Sequence, residues 1–319
     1  MLIARSLGEI GKLPDSAVTV GTFDGVHSGH RAILKELTAR ASGGRSVVIT
    51  FDPHPRTVVG TGEVRQLSNL GERLELIGSL GVDAALVLEF TKEFSRLSPK
   101  EFYVQYLING VGMREVIVGY DHMFGHEREA GIKEIRQLGR EFGFEARVVD
   151  PVSVGGRIVT SSRIRELLLQ GDVERAEECL GRPYSLTGTV VKSDGRGTGL
   201  GFPTANIEPE FQHKLVPADG VYLVGADLGG VPLYGMLNIG YRPTFKPAGG
   251  RTIEVHLFDF SEMIYTRKLK MFFLKRLRAE KKFASVDDLV RQLNADRDAC
   301  LRHISALQLI LNSGENQCH

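Results

Sequence analysis

Apolar positions in the first half of the chain fall into short continuous runs separated by stretches with helical spacing. Ala17-Val18-Thr19-Val20 reads as a buried strand. Ile33, Leu34 and Leu37 then keep helical spacing until Gly43-Gly44 closes the helix. The strand signature returns at 46–51, 84–88, 115–118 and 146–149, with helices predicted near 70–80, 98–109 and 131–142. Ser98-Pro99-Lys100-Glu101 combines an N-cap, a first-turn proline and a capping-box glutamate. Ile132, Ile135, Leu138 and Phe142 form a stripe read as core. This alternation predicts an α/β doubly wound parallel sheet, whose ligands bind beyond the carboxyl ends of the strands.

The texture changes near Asp172. That residue is placed to cap a short helix ending at Leu180, with Gly181 closing it. From Tyr184 to Leu274 the chain is rich in Gly, Pro, Val, Thr and Tyr in short strand-like runs, which predicts an antiparallel barrel or sandwich. A last helix is expected from Ser285, with Asp288 completing its cap. Its expected packing face is Leu289, Val290, Leu293, Leu301, Ile304 and Leu307, and the tail from Ser313 is expected to fray. The predicted domains are 1–182 and 183–319.

Composition adds bounds. The 319 residues suffice for two cores, and 42% apolar with 25% charged residues is ordinary for a globular protein. A net charge of +1 without a long Lys/Arg tract gives no electrostatic case for a nucleic-acid partner. Cys179, Cys300 and Cys318 form neither a zinc pattern nor a disulfide framework, so the expected compartment is a reducing cytoplasm. The N-terminus lacks a signal-peptide core and no run is long enough to cross a bilayer, so no membrane association is expected. Oligomeric state is not readable.

The chemistry concentrates at Gly21-Thr22-Phe23-Asp24-Gly25-Val26-His27-Ser28-Gly29-His30, where the first strand turns into the first helix. Such a junction aims backbone N–H groups and the positive end of a helix dipole at one spot, which suits phosphate. Gly25 and Gly29 are expected to let an anion approach, and His27 and His30 to donate to it. This segment resembles the His-x-Gly-His signature of nucleotidyltransferases. Ile49-Thr50-Phe51-Asp52-Pro53-His54-Pro55, Val118-Gly119-Tyr120-Asp121-His122-Met123-Phe124-Gly125 with Arg128, and Val159-Thr160-Ser161-Ser162-Arg163-Ile164-Arg165 follow in order. Alone, each could be only a cap or a turn. Together they resemble the adenylyltransferase module of bacterial bifunctional riboflavin kinase/FAD synthetases. The resemblance implies ATP held by Gly21, Thr22, Phe23, Asp24, Gly25, His27, His30, Ser161, Ser162 and Arg165, with His27 and His30 catalytic. It places flavin on Phe51, Pro53, His54, Asp121 and Phe124.

Gly195-Arg196-Gly197-Thr198-Gly199-Leu200-Gly201, followed directly by Phe202-Pro203-Thr204-Ala205-Asn206, resembles the flavokinase signature of the same family. It implies ATP on Gly195, Arg196, Gly197, Gly199, Gly201, Thr204 and Asn206, with Thr204 and Asn206 holding Mg²⁺. Oxygen ligands of this kind suit that ion. Asn238–Tyr241 with Arg242-Pro243-Thr244-Phe245, and residues 252–260, also match. Strand alternation puts Glu254 and His256 on one face and Val255 and Leu257 on the other. Glu254 matches the family's catalytic base. The charge cluster within 273–283 is read as a solvated face. Thr198 replaces a usual Arg, Ser193 a usual Gly and His122 a frequent Phe. The kinase is therefore expected to bind ATP more weakly or to recruit Lys192 or Arg196. The implied activities are ATP-dependent phosphorylation of riboflavin to FMN and adenylylation of FMN to FAD. The alternatives are a monofunctional adenylyltransferase with an impaired kinase module and a non-catalytic flavin-binding protein.

Overall fold

The computed structural model describes residues 1–41, 43–60, 64–122, 131–192, 201–241 and 250–315, with side chains described as far as 308. Met123, Phe124, Gly125, Arg128, Ser193, Gly195, Arg196, Gly197, Thr198, Gly199, Leu200, residues 242–245 and Cys318 lie outside the described residues. The chain divides into two compact units. One comprises Met1–Arg165 with Cys179–Gly181, the other Glu166–Glu178 with Arg182–His319.

The first unit is a six-stranded parallel sheet. Its strands are β1 (Leu2–Ala4), β2 (Ser16–Val20), β3 (Ser46–Asp52), β4 (Ala84–Glu89), β5 (Met113–Gly119) and β6 (Glu145–Val149), in spatial order β1-β4-β3-β2-β5-β6. Every residue of β2 is buried, as expected of a central strand covered on both faces. Val18, Val20, Val47 and Ile49 pack on one side with Phe102 and Leu107. Ala17, Val48 and Ile117 pack on the other with Leu34, Leu37 and Ile77. Leu34 and Leu37 are fully buried, each worth roughly 2 kcal/mol of hydrophobic burial.

The helices Ser28–Arg40, Leu70–Gly78 and Ile132–Phe142 meet their predicted positions. Ser98 and Glu101 form the expected capping box at the helix Pro99–Phe102, which continues with π-helical bonding through Tyr103–Val111. The strand β1 was not anticipated. Three residues show too little alternation to be read, and pairing with β4 (Leu2 opposite Ala84) is what makes them a strand. A two-stranded hairpin, β7 (Ser153–Val154) and β8 (Arg157–Ile158), precedes the helix Ser161–Gln170.

The second unit is a closed six-stranded antiparallel barrel, which decides between the barrel and sandwich alternatives. Its strands are β9 (Tyr184–Val191), β10 (Ala205–Pro209), β11 (Gly220–Asp227), β12 (Pro232–Tyr241), β13 (Arg251–Leu257) and β14 (Lys268–Arg278). Around the barrel the order is β10-β13-β12-β11-β14-β9. The helix Val286–Glu315 opens with the predicted bond from the Asp288 amide to Ser285 Oγ. Leu293, Cys300 and Ile304 pack against Phe202, Val221, Leu223 and Met236.

Leu301 corrects the expected packing face, since it is 42% exposed. The seam runs through Leu293, Asp296, Cys300 and Ile304, and the buried Asp296 pairs with Arg278 at 2.8 Å. Leu301, one position past Cys300, is rotated off that seam by the helical period. The helix also continues through Glu315, past the tail expected to fray from Ser313, because extending an existing helix adds one bond per residue fixed.

Candidate functional site

At the carboxyl ends of β2, β3 and β5, the first unit encloses a cavity of about 480 Å³. His27 caps the helix Ser28–Arg40, its Nδ1 accepting from the His30 amide at 3.3 Å. That bond fixes the tautomer, because a neutral imidazole accepting at Nδ1 carries its proton on Nε2. The two rings stack 3.6 Å apart, and His30 meets the edge of Phe23 at 5.2 Å. Burial pushes His30 down to about 3, so it is neutral at physiological pH. Its buried Nδ1 has no hydrogen-bond partner among the described residues.

The neighbouring strand repeats the device. His54 caps the helix Pro55–Val59, with Nδ1 accepting from the Arg56 amide at 3.1 Å. Burial pulls it down to about 4, helped by Arg165, Arg73 and Arg56 and opposed by Asp24. Burial likewise lowers His122 to about 4, against the pull of Asp121.

Both glycines also have packing reasons, and Gly29 lines the cavity. Gly25 adopts φ +79°, and a Cβ there would lie 2.8 Å from Leu67. A Cβ on Gly29 would lie 3.2 Å from the His27 ring. Gly25 therefore serves a left-handed turn, and Gly29 makes room for the capping imidazole. Phe23 (φ +49°) and Val26 (φ +40°) are strained beside them.

Asp24 is buried, with its carboxylate turned into the protein. It accepts from the Leu67 amide at 2.9 Å and the Ser68 amide at 3.0 Å, and pairs with Arg165 Nη2 at 2.5 Å. Losing either partner would strand a buried charge, a cost of about 3–5 kcal/mol. Arg165 also donates to the Arg65 carbonyl at 2.8 Å. Thr160, not Ser161 or Ser162, caps the helix Ser161–Gln170 by accepting from the Arg163 amide at 3.1 Å. Ser161 Oγ donates to the Asp24 carbonyl at 3.1 Å, and Ser162 is exposed at the cavity. Two helix N-termini thus reach one cavity, a pairing suited to a polyphosphate.

Among the remaining predicted site residues, Gly21, Thr22, Phe51 and Asp121 line this cavity. Phe23 lies beneath His30, and Pro53 is exposed outside the lining while Pro55 lies within it. Sequence reasoning missed Phe90 and Phe94, which join Phe51 at 5.4 and 5.8 Å in an aromatic wall. Their signal was available: two phenylalanines four residues apart, directly after the β4 run. That wall provides a flat apolar surface at the cavity for a ring system.

In the barrel, register brings distant motifs together. Glu254 on β13 lies opposite Asn206 on β10 and opposite Asn238 on β12. The predicted alternation holds, with Ile253, Val255 and Leu257 buried and Glu254 and His256 half-buried. His256 Nδ1 lies 2.8 Å from the Pro203 carbonyl, and its ring meets Phe202 at 5.4 Å. The segment leading through Thr204 to Asn206 is thereby held beside the strand that carries Glu254. Gly201 is described, at φ +79°.

The FAD synthetase family profile matches residues 10–163, and the riboflavin kinase profile matches residues 180–304. The chain is 36% identical over 286 residues to the bifunctional riboflavin kinase/FMN adenylyltransferase of Listeria monocytogenes, covering 88% of this chain and 90% of that one. It is 37% identical over 280 residues to the protein of the same name from Pseudomonas fluorescens, covering 87% and 89%. A crystal structure from Streptococcus pneumoniae, described as a macrolide-efflux protein, is similar with a TM-score of 0.84 and 31% identity, covering 94% of this chain and 98% of that one. Among the described residues of this chain, no helix is long and apolar enough to cross a membrane. With relatedness extending along most of both sequences and through both units, the chain belongs to the bifunctional riboflavin kinase/FMN adenylyltransferase family.

Proposed function

We propose that the barrel unit transfers the γ-phosphoryl group of ATP to riboflavin, giving FMN, and that the α/β unit transfers the adenylyl group of another ATP to FMN, giving FAD and pyrophosphate. The observation that carries this reading is that one chain holds two built sites. One is a cavity combining two helix N-termini and stacked imidazoles with an aromatic wall, the other a row of Asn206, Glu254 and Asn238 across three barrel strands.

In adenylyl transfer, an FMN phosphate oxygen attacks the α-phosphorus and the bond to pyrophosphate breaks. His27 Nε2–H and His30 act as neutral donors to the phosphoryl oxygens, where negative charge gathers. The helix ends and Arg165 add fixed positive potential, and Phe51, Phe90 and Phe94 receive the flavin ring. In the barrel, Glu254 takes the proton of the riboflavin 5′-hydroxyl as its oxygen attacks the γ-phosphorus of ATP and the bond to ADP breaks. Thr204 and Asn206 offer a hydroxyl and an amide oxygen beside this carboxylate, a hard donor set that fits Mg²⁺. Mg²⁺ bound there with ATP would neutralise phosphate charge. Cys179 and Cys300 are buried cysteines outside any disulfide, which supports a cytoplasmic setting.

Incubating the purified protein with riboflavin, ATP and Mg²⁺ and separating the flavins by chromatography tests the reading. Both FMN and FAD are expected. FAD formed only from supplied FMN overturns the kinase assignment, and retention of unchanged riboflavin and FMN overturns both.

A further inference from the structure

Arg73 is among the largest fully buried side chains of the described residues, at 1% exposure, and it faces no carboxylate within ion-pair distance among them. A guanidinium in that position is expensive unless its hydrogen bonds do something a neutral side chain cannot. Burial lowers its pKa, with Asp24 and Asp52 acting from a distance in the opposite sense. Two of its five N–H donors go to backbone carbonyls, while its buried Nε has no hydrogen-bond partner among the described residues. Nη1 donates to Thr22 O at 2.7 Å, and Nη2 reaches Phe51 O at 3.4 Å.

These two carbonyls mark the place where neighbouring strands part. Near the end of β2 a backbone bond runs from the Gly21 amide to Ile49 O, at 3.0 Å, and the Thr50 hydroxyl donates to Thr22 O at 3.3 Å. Beyond Gly21 and Ile49, one strand leads through Thr22 into the turn carrying His27 and His30. The other leads through Phe51 into the turn carrying His54. Arg73 spans the gap.

The segment bearing Arg73 grips the first turn at further points. The Leu67 and Ser68 amides donate to Asp24, and the Gly25 amide donates to Ser68 Oγ at 2.8 Å. The Asn69–Glu72 capping box fixes the start of the helix from which Arg73 projects. The turn so held contains Phe23, Gly25 and Val26 at positive φ, a backbone that persists only when its surroundings over-determine it.

We propose that Arg73 is a positioning residue for adenylyl transfer, holding the Thr22 and Phe51 carbonyls so that the two histidine-bearing turns keep one spacing. The role rests on the adenylyl-transfer reading above. It predicts a rate effect, because misplacing donors by about 1 Å costs on the order of 100-fold while ground-state binding changes less. A lysine ammonium carries three donors and can still serve carbonyl oxygens, so lysine should rescue what an apolar side chain cannot.

The test compares Arg73→Met and Arg73→Lys in the full chain. Arg73→Met should lower kcat for FAD formation from FMN by about 100-fold, with KM for ATP and FMN within about threefold of wild type. Arg73→Lys should stay within about tenfold of wild type. FMN formation from riboflavin by the same preparations should be unchanged, which separates this effect from loss of folded protein. Should Arg73→Met fail to fold, Arg73→Gln, which keeps an amide donor but no charge, takes its place in the comparison. An unimpaired Arg73→Met, equal losses in Met and Lys variants, or a loss in KM alone overturns the role. A wild-type protein that makes no FAD overturns the adenylyl-transfer reading instead.

Discussion

Glu254→Gln keeps the shape of a side chain set between Asn206 and Asn238 and removes only its ability to take a proton. FMN formation from riboflavin should fall by about 10²- to 10⁴-fold, with FAD formation from supplied FMN unchanged, as two separate flavin assays can read. His27 offers a complementary separation, because it both caps a helix and faces the cavity. Asparagine is also a good N-cap, so His27→Asn should hold the thermal midpoint near wild type. Adenylylation should still drop by about 10²- to 10³-fold for the lost imidazole donor. An active His27→Asn enzyme would reduce His27 to a cap. His30, lowered to about 3 by burial, makes a pH prediction. Below pH 6.5 the unfolded chain binds a proton there that the folded chain does not, until about pH 3. Stability contributed by neutral His30 is therefore full above 6.5 and lost as pH falls toward 3. The thermal midpoint should decline over that range, and less steeply in His30→Gln. The histidine pair was legible because residue type, spacing and a strand-to-helix junction coincided. Arg73 was not, since a buried arginine reads in sequence like any exposed arginine on a helix, and its carbonyl partners lie 51 and 22 positions away. Asp24 was legible as part of the motif, but its direction, inward to Leu67, Ser68 and Arg165, depends on tertiary partners.

At the scale of elements, local signals succeeded wherever the chain satisfies itself locally. The Ser98–Glu101 capping box, the Asp172 bond to the Arg175 amide at 3.2 Å and the Ser285–Asp288 cap are short-range chemistry, and each stands where the sequence put it. β1 and the Leu301 orientation depend on partners distant in sequence, and both escaped the reading. A predicted boundary at 182/183 follows the change in texture, whereas Glu166–Glu178 groups by contacts with the barrel. The Ala218 amide donates to Leu168 O at 2.9 Å, and Arg276 Nη1 donates to Gln170 O at 2.9 Å. At Gly171, with φ +78°, an added Cβ would lie 2.7 Å from the Arg276 guanidinium, and Lys275 pairs with Glu174 at 3.7 Å. A fragment 166–319 should therefore unfold cooperatively and phosphorylate riboflavin. A fragment 183–319 should unfold at a lower temperature, since the Ala218 amide and Arg276 Nη1 lose their acceptors and each lost hydrogen bond is worth about 1 kcal/mol. Equal midpoints in scanning calorimetry would show that the 166–178 segment adds nothing to the barrel, in favour of the boundary at 182/183.

For the whole molecule, the proposed chemistry makes FMN the product of one unit and the acceptor of the other. Each site draws its proposed catalytic side chains from its own unit: His27, His30 and Arg165 in the first, Thr204, Asn206 and Glu254 in the second. Neither set borrows a residue from the other, so the two reactions need share nothing except free FMN. This predicts complementation between separate chains. Glu254→Gln alone should leave riboflavin largely unconverted, and the His27→Ala/His30→Ala double variant should stop at FMN. An equimolar mixture of the two should convert riboflavin to FAD with a lag, while FMN rises and then falls, as time-resolved chromatography can follow. The lag should shorten when FMN is added at the start, and adding more of the double variant should raise the FMN peak. FAD from the mixture at no more than the sum of the two variants alone would mean that FMN is not passed through solution, and the independence of the two sites would fall.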